Sequence, residues 1–305
     1  MNLLQLAASL AIAAWLSVRG FRRGSLDLSG ATVALVVGTL HMYCGLQYGL
    51  TLIFFYLSSS KLTRLQSEKK AQLEAGHKAG GQRNAVQVLS NSAGACAAMV
   101  AMLLMRQGQQ EALGALHAAL MGAFLGHYAC CCADTWASEV GILARSWPRL
   151  ITSGRRVPPG TNGAVSPLGL CFAAVGGCSV GFVFWAADAL SRALSSASSQ
   201  QPLVIPSLAQ AAGPARVAAA CLALGLAGCT LDSLLGATLQ FSGRATRSGR
   251  VVQVPGPGVA RVAGFALLSN DAVNFVAAGG TAVLGAWAAR TWWLATDCGR
   301  ALGVA

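Results

Sequence analysis

Apolar residues run along this chain in long blocks, and polar residues gather at the block ends. The blocks at 2–18, 86–105, 112–133, 164–190, 215–240 and 263–289 are long enough for bilayer-spanning helices, which need about 20 residues with a range of about 17–25. The block 31–57 admits two readings. It is one long tilted span, or two short segments broken near His41-Met42-Tyr43-Cys44-Gly45, as two crossings or a re-entrant hairpin. The pattern predicts an all-α, polytopic transmembrane bundle of about seven or eight membrane segments, short or re-entrant helices included. The whole of 1–305 reads as a single integral membrane domain, with loops at 59–85, 142–163 and 241–262.

Five polar clusters interrupt the apolar pattern. They are Gly80-Gly81-Gln82-Arg83-Asn84, the acid tract Asp134 to Glu139, Pro158-Pro159-Gly160-Thr161-Asn162-Gly163, the segment Asp232 to Gln240, and Ser269-Asn270-Asp271-Ala272-Val273-Asn274. Hydrocarbon does not solvate charge, so an ionisable residue at the edge of a span is a functional-site hypothesis by default. Asp134, Glu139, Asp232 and Asp271 meet that description.

Loop charge supplies the sidedness. With two crossings in 31–57, one membrane face collects 17 of the Lys and Arg residues and the other 5; with one crossing the bias falls to 14 against 8. The positive-inside rule favours two crossings, with the basic loops cytosolic and the termini on the other side. The first four clusters then border the cytosolic face, and the fifth lies a few residues into the last span from it. Five clusters from separate spans on one face point to a single site.

Composition sharpens the class. The chain is 54% apolar and 10% charged, against about 25% charged in an ordinary soluble domain. Its net charge of +12 sits in the loops, so it reports topology and contact with anionic headgroups rather than nucleic acid. The ten cysteines include no C-x-x-C pair, so they read as small apolar residues packed between helices. The abundant Gly and Ala suit close helix approach. No basic residue precedes Arg19 in the first apolar block, which reads as a retained span; no Ser/Arg-rich transit peptide is visible. His41, His77, His117 and His127 lack metal-ligand spacing, Asp188 reads as a solvated flank, and Glu68 to Glu74 as an exposed amphipathic helix. No Walker, G-x-S-x-G or H-E-x-x-H motif occurs.

The clusters have a common chemistry. Carboxylates with Asn and Gln suit a hard cation, and Mg²⁺ takes one or two carboxylates, waters and phosphate oxygens. Asp134, Asp232 and Asp271 are the candidate ligands. On a continuous helix Asp134 and Glu139 diverge by about 140°, so Glu139 is expected to orient a neighbour. Arg83, Asn84, Asn270 and Asn274 are candidate phosphate-binding side chains. Arg149, Arg155 and Arg156 could add grip, and the loop Gly160, Thr161, Asn162, Gly163 could aim backbone N–H groups at an anion.

Several of these segments resemble a known family. Ser59-Ser60-Lys61-Leu62-Thr63, Gly80 to Val88, Asp134 to Glu139, Pro148 to Thr152, Val157 to Gly163, Asp232 to Gln240 and Asn270 to Asn274 are similar to the transmembrane protein 19 family, which includes the plant phytyl-phosphate kinase. The match runs in order from about Arg22 to Asn274. Asn270-Asp271 stands where the family pattern has two asparagines, and Ser153 where it has a second threonine. The resemblance implies phosphorylation of a phytyl or polyprenyl-type isoprenoid monophosphate from a nucleoside triphosphate with Mg²⁺. Asp134, Glu139 and Asp232 would be catalytic, and membrane lipids and the isoprenoid phosphate the partners. The expected location is the endoplasmic reticulum or another endomembrane, with the plastid envelope as alternative. A transporter or scramblase of a lipid or small anion, or a membrane protein without catalysis, are the competing functions.

Overall fold

The computed structural model describes residues 3–73, 75, 81–105, 113–197 and 208–296. Glu74, His77, Gly80, Arg106 and Arg300, which entered the readings above, lie outside the described residues. The helices are α1 Leu3–Arg22, α2 Leu28–Cys44, α3 Leu46–Arg64, α4 Ser67–Leu73, α5 Ala85–Ser90, α6 Ala93–Met105, α7 Leu113–Gly141, α8 Pro167–Ala197, α9 Leu208–Ala212, α10 Pro214–Leu239 and α11 Asn270–Ala295. Five of them (α1, α7, α8, α10 and α11) are long and apolar enough to cross a membrane, and α2 and α6 are shorter apolar helices. The chain is an all-α, multi-pass integral membrane protein.

The block 31–57 is two helices. The chain breaks at Gly45, whose φ of 158° is extended backbone, and its N–H closes α2 on the His41 carbonyl. The two helices have 17 and 19 residues, or about 25 and 28 Å at 1.5 Å per residue, longer than the sequence block suggested. α3 continues through the polar run to Arg64. The block 86–105 also splits. Asn84 caps α5 and forms a reciprocal capping box with Gln87, and the polar pair Asn91-Ser92 separates α5 from α6.

Two boundaries move. α7 does not end at 133. It carries the acid tract within a continuous helix to Gly141, because Thr135 to Val140 includes no residue that breaks a helix. The last span starts at Asn270 rather than 263. Val259–Ala263 is a strand, Gly264 turns at φ +63°, and Ser269 caps α11 by accepting from the Ala272 N–H. The loops hold two small antiparallel sheets. One pairs β1 (Arg149–Leu150) with β2 (Ala164–Val165). The other, in the order β4-β3-β5, comprises β3 (Ser242–Ala245), β4 (Val251–Val252) and β5 (Val259–Ala263).

α7 is the central element. Of its apolar window 72% is buried, against 22–39% for the other four long helices. Its glycines let neighbours reach backbone contact. A Cβ at Gly122 would sit 2.2 Å from the Gly285 carbonyl oxygen, and one at Gly126 would sit 2.4 Å from that of Thr281. α8 and α10 meet in the same way, since a Cβ at Gly177 would lie 2.6 Å from the Cys221 oxygen. Lipid tails are as apolar as side chains, so close packing of this kind is what holds membrane helices together.

The apolar side chains around α7 form the main core, including Phe124, Tyr128, Tyr48, Phe55 and Phe184. The described cysteines are free thiols, and Cys130, Cys131, Cys132, Cys221 and Cys229 are buried. Asp188 is buried rather than solvated and pairs with Arg192 at 3.1 Å. Gly122→Val inserts bulk where α7 and α11 touch. It is expected to lower stability by about 1–3 kcal/mol, read as an earlier unfolding transition in detergent, whereas Val36→Ala on an exposed face of α2 should leave the transition in place.

Candidate functional site

Asp134 and Asp232 occupy matching positions on adjacent helices. Each lies seven residues before its helix end, at Gly141 and Leu239, or about 10 Å inside at 1.5 Å per residue. Both line the same cavity. With its side-chain amide turned to suit its neighbours, Asn274 in the first turns of α11 donates to Asp232 Oδ2 at 3.2 Å. The Asn270 side-chain oxygen accepts from Gln240 Nε2 at 3.2 Å.

These groups open onto one cavity of about 770 Å³. Its lining takes in Gly81, Gln82 and Arg83, Asp134 and Glu139, Gly160 to Gly163, Asp232 and Gln240, and Ser269, Asn270, Asp271 and Asn274. All five polar clusters therefore share a single space. Among the described residues no three His, Cys, Asp or Glu side chains gather to hold a metal, so Asp271 does not join Asp134 and Asp232 as a third carboxylate ligand. It sits in the first turn of α11, where negative charge favours the helix dipole.

Glu139 turns away from Asp134, as helix geometry requires, and meets Lys70 Nζ at 2.6 Å. Lys70 is buried, contrary to the exposed helix expected for that segment, although α4 itself forms. Its ammonium also donates to the carbonyls of Leu62 at 2.8 Å and Thr63 at 3.3 Å. Those carbonyls lie in the last turn of α3, where a cation is favoured. One lysine thus ties three helices together at the cavity rim.

Arg83 is held by its backbone. Its N–H donates to the Ser25 carbonyl and its own carbonyl accepts from the Asp27 N–H, both at 3.0 Å. Gly30 permits this, since a Cβ there would lie 2.3 Å from the Arg83 oxygen. The guanidinium donates to Ser60 Oγ at 2.9 Å and lies 6.0 Å from the centre of the Tyr56 ring. Burial draws its pKa below the ordinary value, against the raising effect of Tyr56 and Glu139. An arginine still stays charged, and Arg83 is part of the cavity lining.

Other expectations need correction. The Asn84 side chain caps α5, accepting from the Gln87 N–H at 3.0 Å, and is not part of the lining. The loop 160–163 does not present a row of waiting N–H groups. That of Thr161 donates to the Pro158 carbonyl at 3.2 Å and that of Asn162 to Ser242 Oγ at 2.9 Å. The Asn162 side chain bonds the Phe241 carbonyl at 3.1 Å and the Gln253 side chain. Gly163, at φ +71°, presses on α10, and a Cβ there would sit 2.4 Å from the Ser233 oxygen. The loop is a wall fixed by β3 and α10. Arg149, Arg155 and Arg156 are exposed and outside the lining, and Arg149 donates instead to the Gly154 carbonyl at 2.7 Å.

The sequence reading missed Lys70, Ser60, Asn91 and Gln253, all at the site or bonded to it. The Asn91-Ser92 interruption of an apolar block was a visible signal. Nothing local separates Lys70 from its exposed neighbour Lys69.

Apolar residues of three helices share the lining: Ala13 and Leu16 of α1, Val37 and Met42 of α2, and Leu52 and Phe55 of α3. The family model described as "Integral membrane protein DUF92" matches residues 11–282, from this apolar wall of α1 to the middle of α11. The chain belongs to that family. DUF92 relatives come from distant lineages. "Protein PGR" of Arabidopsis thaliana is 40% identical over 270 residues, covering 87% of this chain and 89% of its own. An uncharacterised membrane protein of Methanocaldococcus jannaschii is 28% identical over 181 residues, covering 59% and 70%. No solved structure matches.

Removing the ammonium leaves Glu139 unpaired beside the cavity. Breaking a buried pair costs about 3–5 kcal/mol, and the 21% exposure of Glu139 reduces this towards the lower end. Lys70→Met is therefore expected to lower the unfolding temperature well beyond Lys69→Met, and the double change Lys70→Met with Glu139→Leu to recover part of the loss.

Proposed function

We propose that this protein is a membrane-embedded phosphotransferase that converts an isoprenoid monophosphate to its diphosphate with a nucleoside triphosphate. The observation that carries this reading is the cavity's division of chemistry. Carboxylates, amides and a fixed arginine contribute its polar lining, and aliphatic and aromatic side chains from α1, α2 and α3 contribute much of its apolar lining. An amphiphile with an anionic head and a hydrocarbon tail fits such a space. The similarity of the polar clusters to the transmembrane protein 19 family and its phytyl-phosphate kinase points the same way.

Asp134 and Asp232 suit Mg²⁺, which accepts one or two carboxylates and keeps several waters. When bound, the ion supplies charge neutralisation to phosphate oxygens. The chain's own residues do the rest. Arg83 offers a planar pair of donors to a phosphate, Asn274 and Gln240 orient the carboxylate and amide groups, and the Lys70–Glu139 pair fixes the rim. An acceptor phosphate already carries negative charge, so no strong general base is required. Positioning and electrostatics carry the rate. The basic loops on the site's side support a cytosolic orientation.

Purified protein incubated with radiolabelled ATP or CTP and a panel of isoprenyl monophosphates tests this. Label is expected to move to the lipid. Asp134→Asn and Asp232→Asn are each expected to reduce turnover by at least about 10²-fold, the scale of losing one preorganised electrostatic group, with the unfolding transition retained. Flux of lipid or anion across liposomes without nucleotide consumption would replace the kinase with a transporter.

A further inference from the structure

Met42 is the one residue among those described that lines both the main cavity and a second cavity of about 420 Å³. The second cavity is bounded by Gln5, Ser9 and Ile12 of α1, Gly45 and Leu46 at the elbow, and Ser191 of α8. The Met42 side chain crosses to α3 and rests on Gly49, where a Cβ would lie 2.0 Å from its sulfur. Only a glycine leaves that space, so the thioether closes the gap between α2 and α3.

Depth can be read along the helices. Met42 is 14 residues from the start of α2 and Gly49 is 14 residues from Thr63 on α3, each about 21 Å at 1.5 Å per residue. Asp134 and Asp232 lie about 10 Å in by the same measure. Counted each from its own helix end, Met42 lies about 10 Å deeper than the acids, and it also borders the second cavity.

We propose that Met42 is the floor of the tail channel and sets the length of hydrocarbon the site accepts. The inference rests on the reading of the cavity as an isoprenoid-phosphate site. A tail longer than the channel must displace the thioether. A flexible, unbranched side chain suits a stop of this kind, because it fills an irregular gap without fixing the helices apart. Removing it would join the two cavities into one longer channel.

The test uses the full chain in detergent, without nucleotide. The probes are prenyl monophosphates of increasing length, and the readout is the rise in unfolding temperature with ligand concentration, which reports affinity directly. Met42→Ala is expected to favour the longer chains over the shorter by about tenfold, the effect of burying only a few further methylenes. Met42→Phe is expected to shift preference towards shorter chains, and Val36→Ala, on an exposed face of α2, to change nothing. An unchanged length preference in both Met42 variants overturns the proposal. If the preference moves while the wild type transfers no phosphate, the floor stands and the kinase reading falls. If phosphate transfer occurs but the preference does not move, the floor falls alone. If no chain length stabilises the wild type, both fall.

Discussion

The enclosure of α7 by α8, α10 and α11 is the constraint on which the rest of this structure depends. Backbone contact at Gly122, Gly126 and Gly285 brings α11 against it. Gly225 does the same for α10, where a Cβ would lie 3.1 Å from the Ala129 oxygen, and Gly176 for α8, at 3.1 Å from the Cys132 oxygen. Larger residues at these crossings would hold the helices a side chain apart. The distance between Asp134 and Asp232 is therefore decided by glycines that touch neither acid.

That enclosure makes the acids costly and usable together. A carboxylate in hydrocarbon is tolerated when polar partners surround it. Here the partners are the Asn274 amide at Asp232 and the polar lining shared by five chain segments. Glu139 has a different solution. Its charge is met by the Lys70 ammonium, whose remaining protons go to the end of α3. A fully committed lysine holds shape. Arg83, anchored by its backbone, donates through its side chain to Ser60 Oγ and lines the cavity with further N–H donors on the same guanidinium.

Much of this was legible in the chain. Long apolar blocks gave the spans, and loop charge separated α2 from α3. Polar residues at block ends named the site's lining, because hydrocarbon makes each of them expensive and so hard to place by chance. Boundaries were less legible. The 263–289 block begins with the apolar run 263–268, and only the pairing of Val259–Ala263 with β3 and the turn at Gly264 show that its first residues are not helix. Asn84 and Asn162 looked like ligand groups because a polar side chain has the same letter whether it caps a helix, braces a loop or binds a phosphate. Lys70 was invisible for the converse reason. Its partner is 69 residues away, and no local pattern encodes a contact made by folding.

The break at Gly45 shows how a single irregularity can shape function. Had 31–57 been one continuous helix, α2 and α3 could not lie side by side, and the apolar part of the cavity would lose two of its three walls. The elbow folds the second half of the block back against the first, so that Val37 and Met42 line the same cavity as Leu52 and Phe55. The same fold returns Ser60 and Thr63 to the polar end, where they meet Arg83 and Lys70. Apolar wall and polar rim are thus two ends of one helical hairpin, and a shift in register at the elbow would move both together.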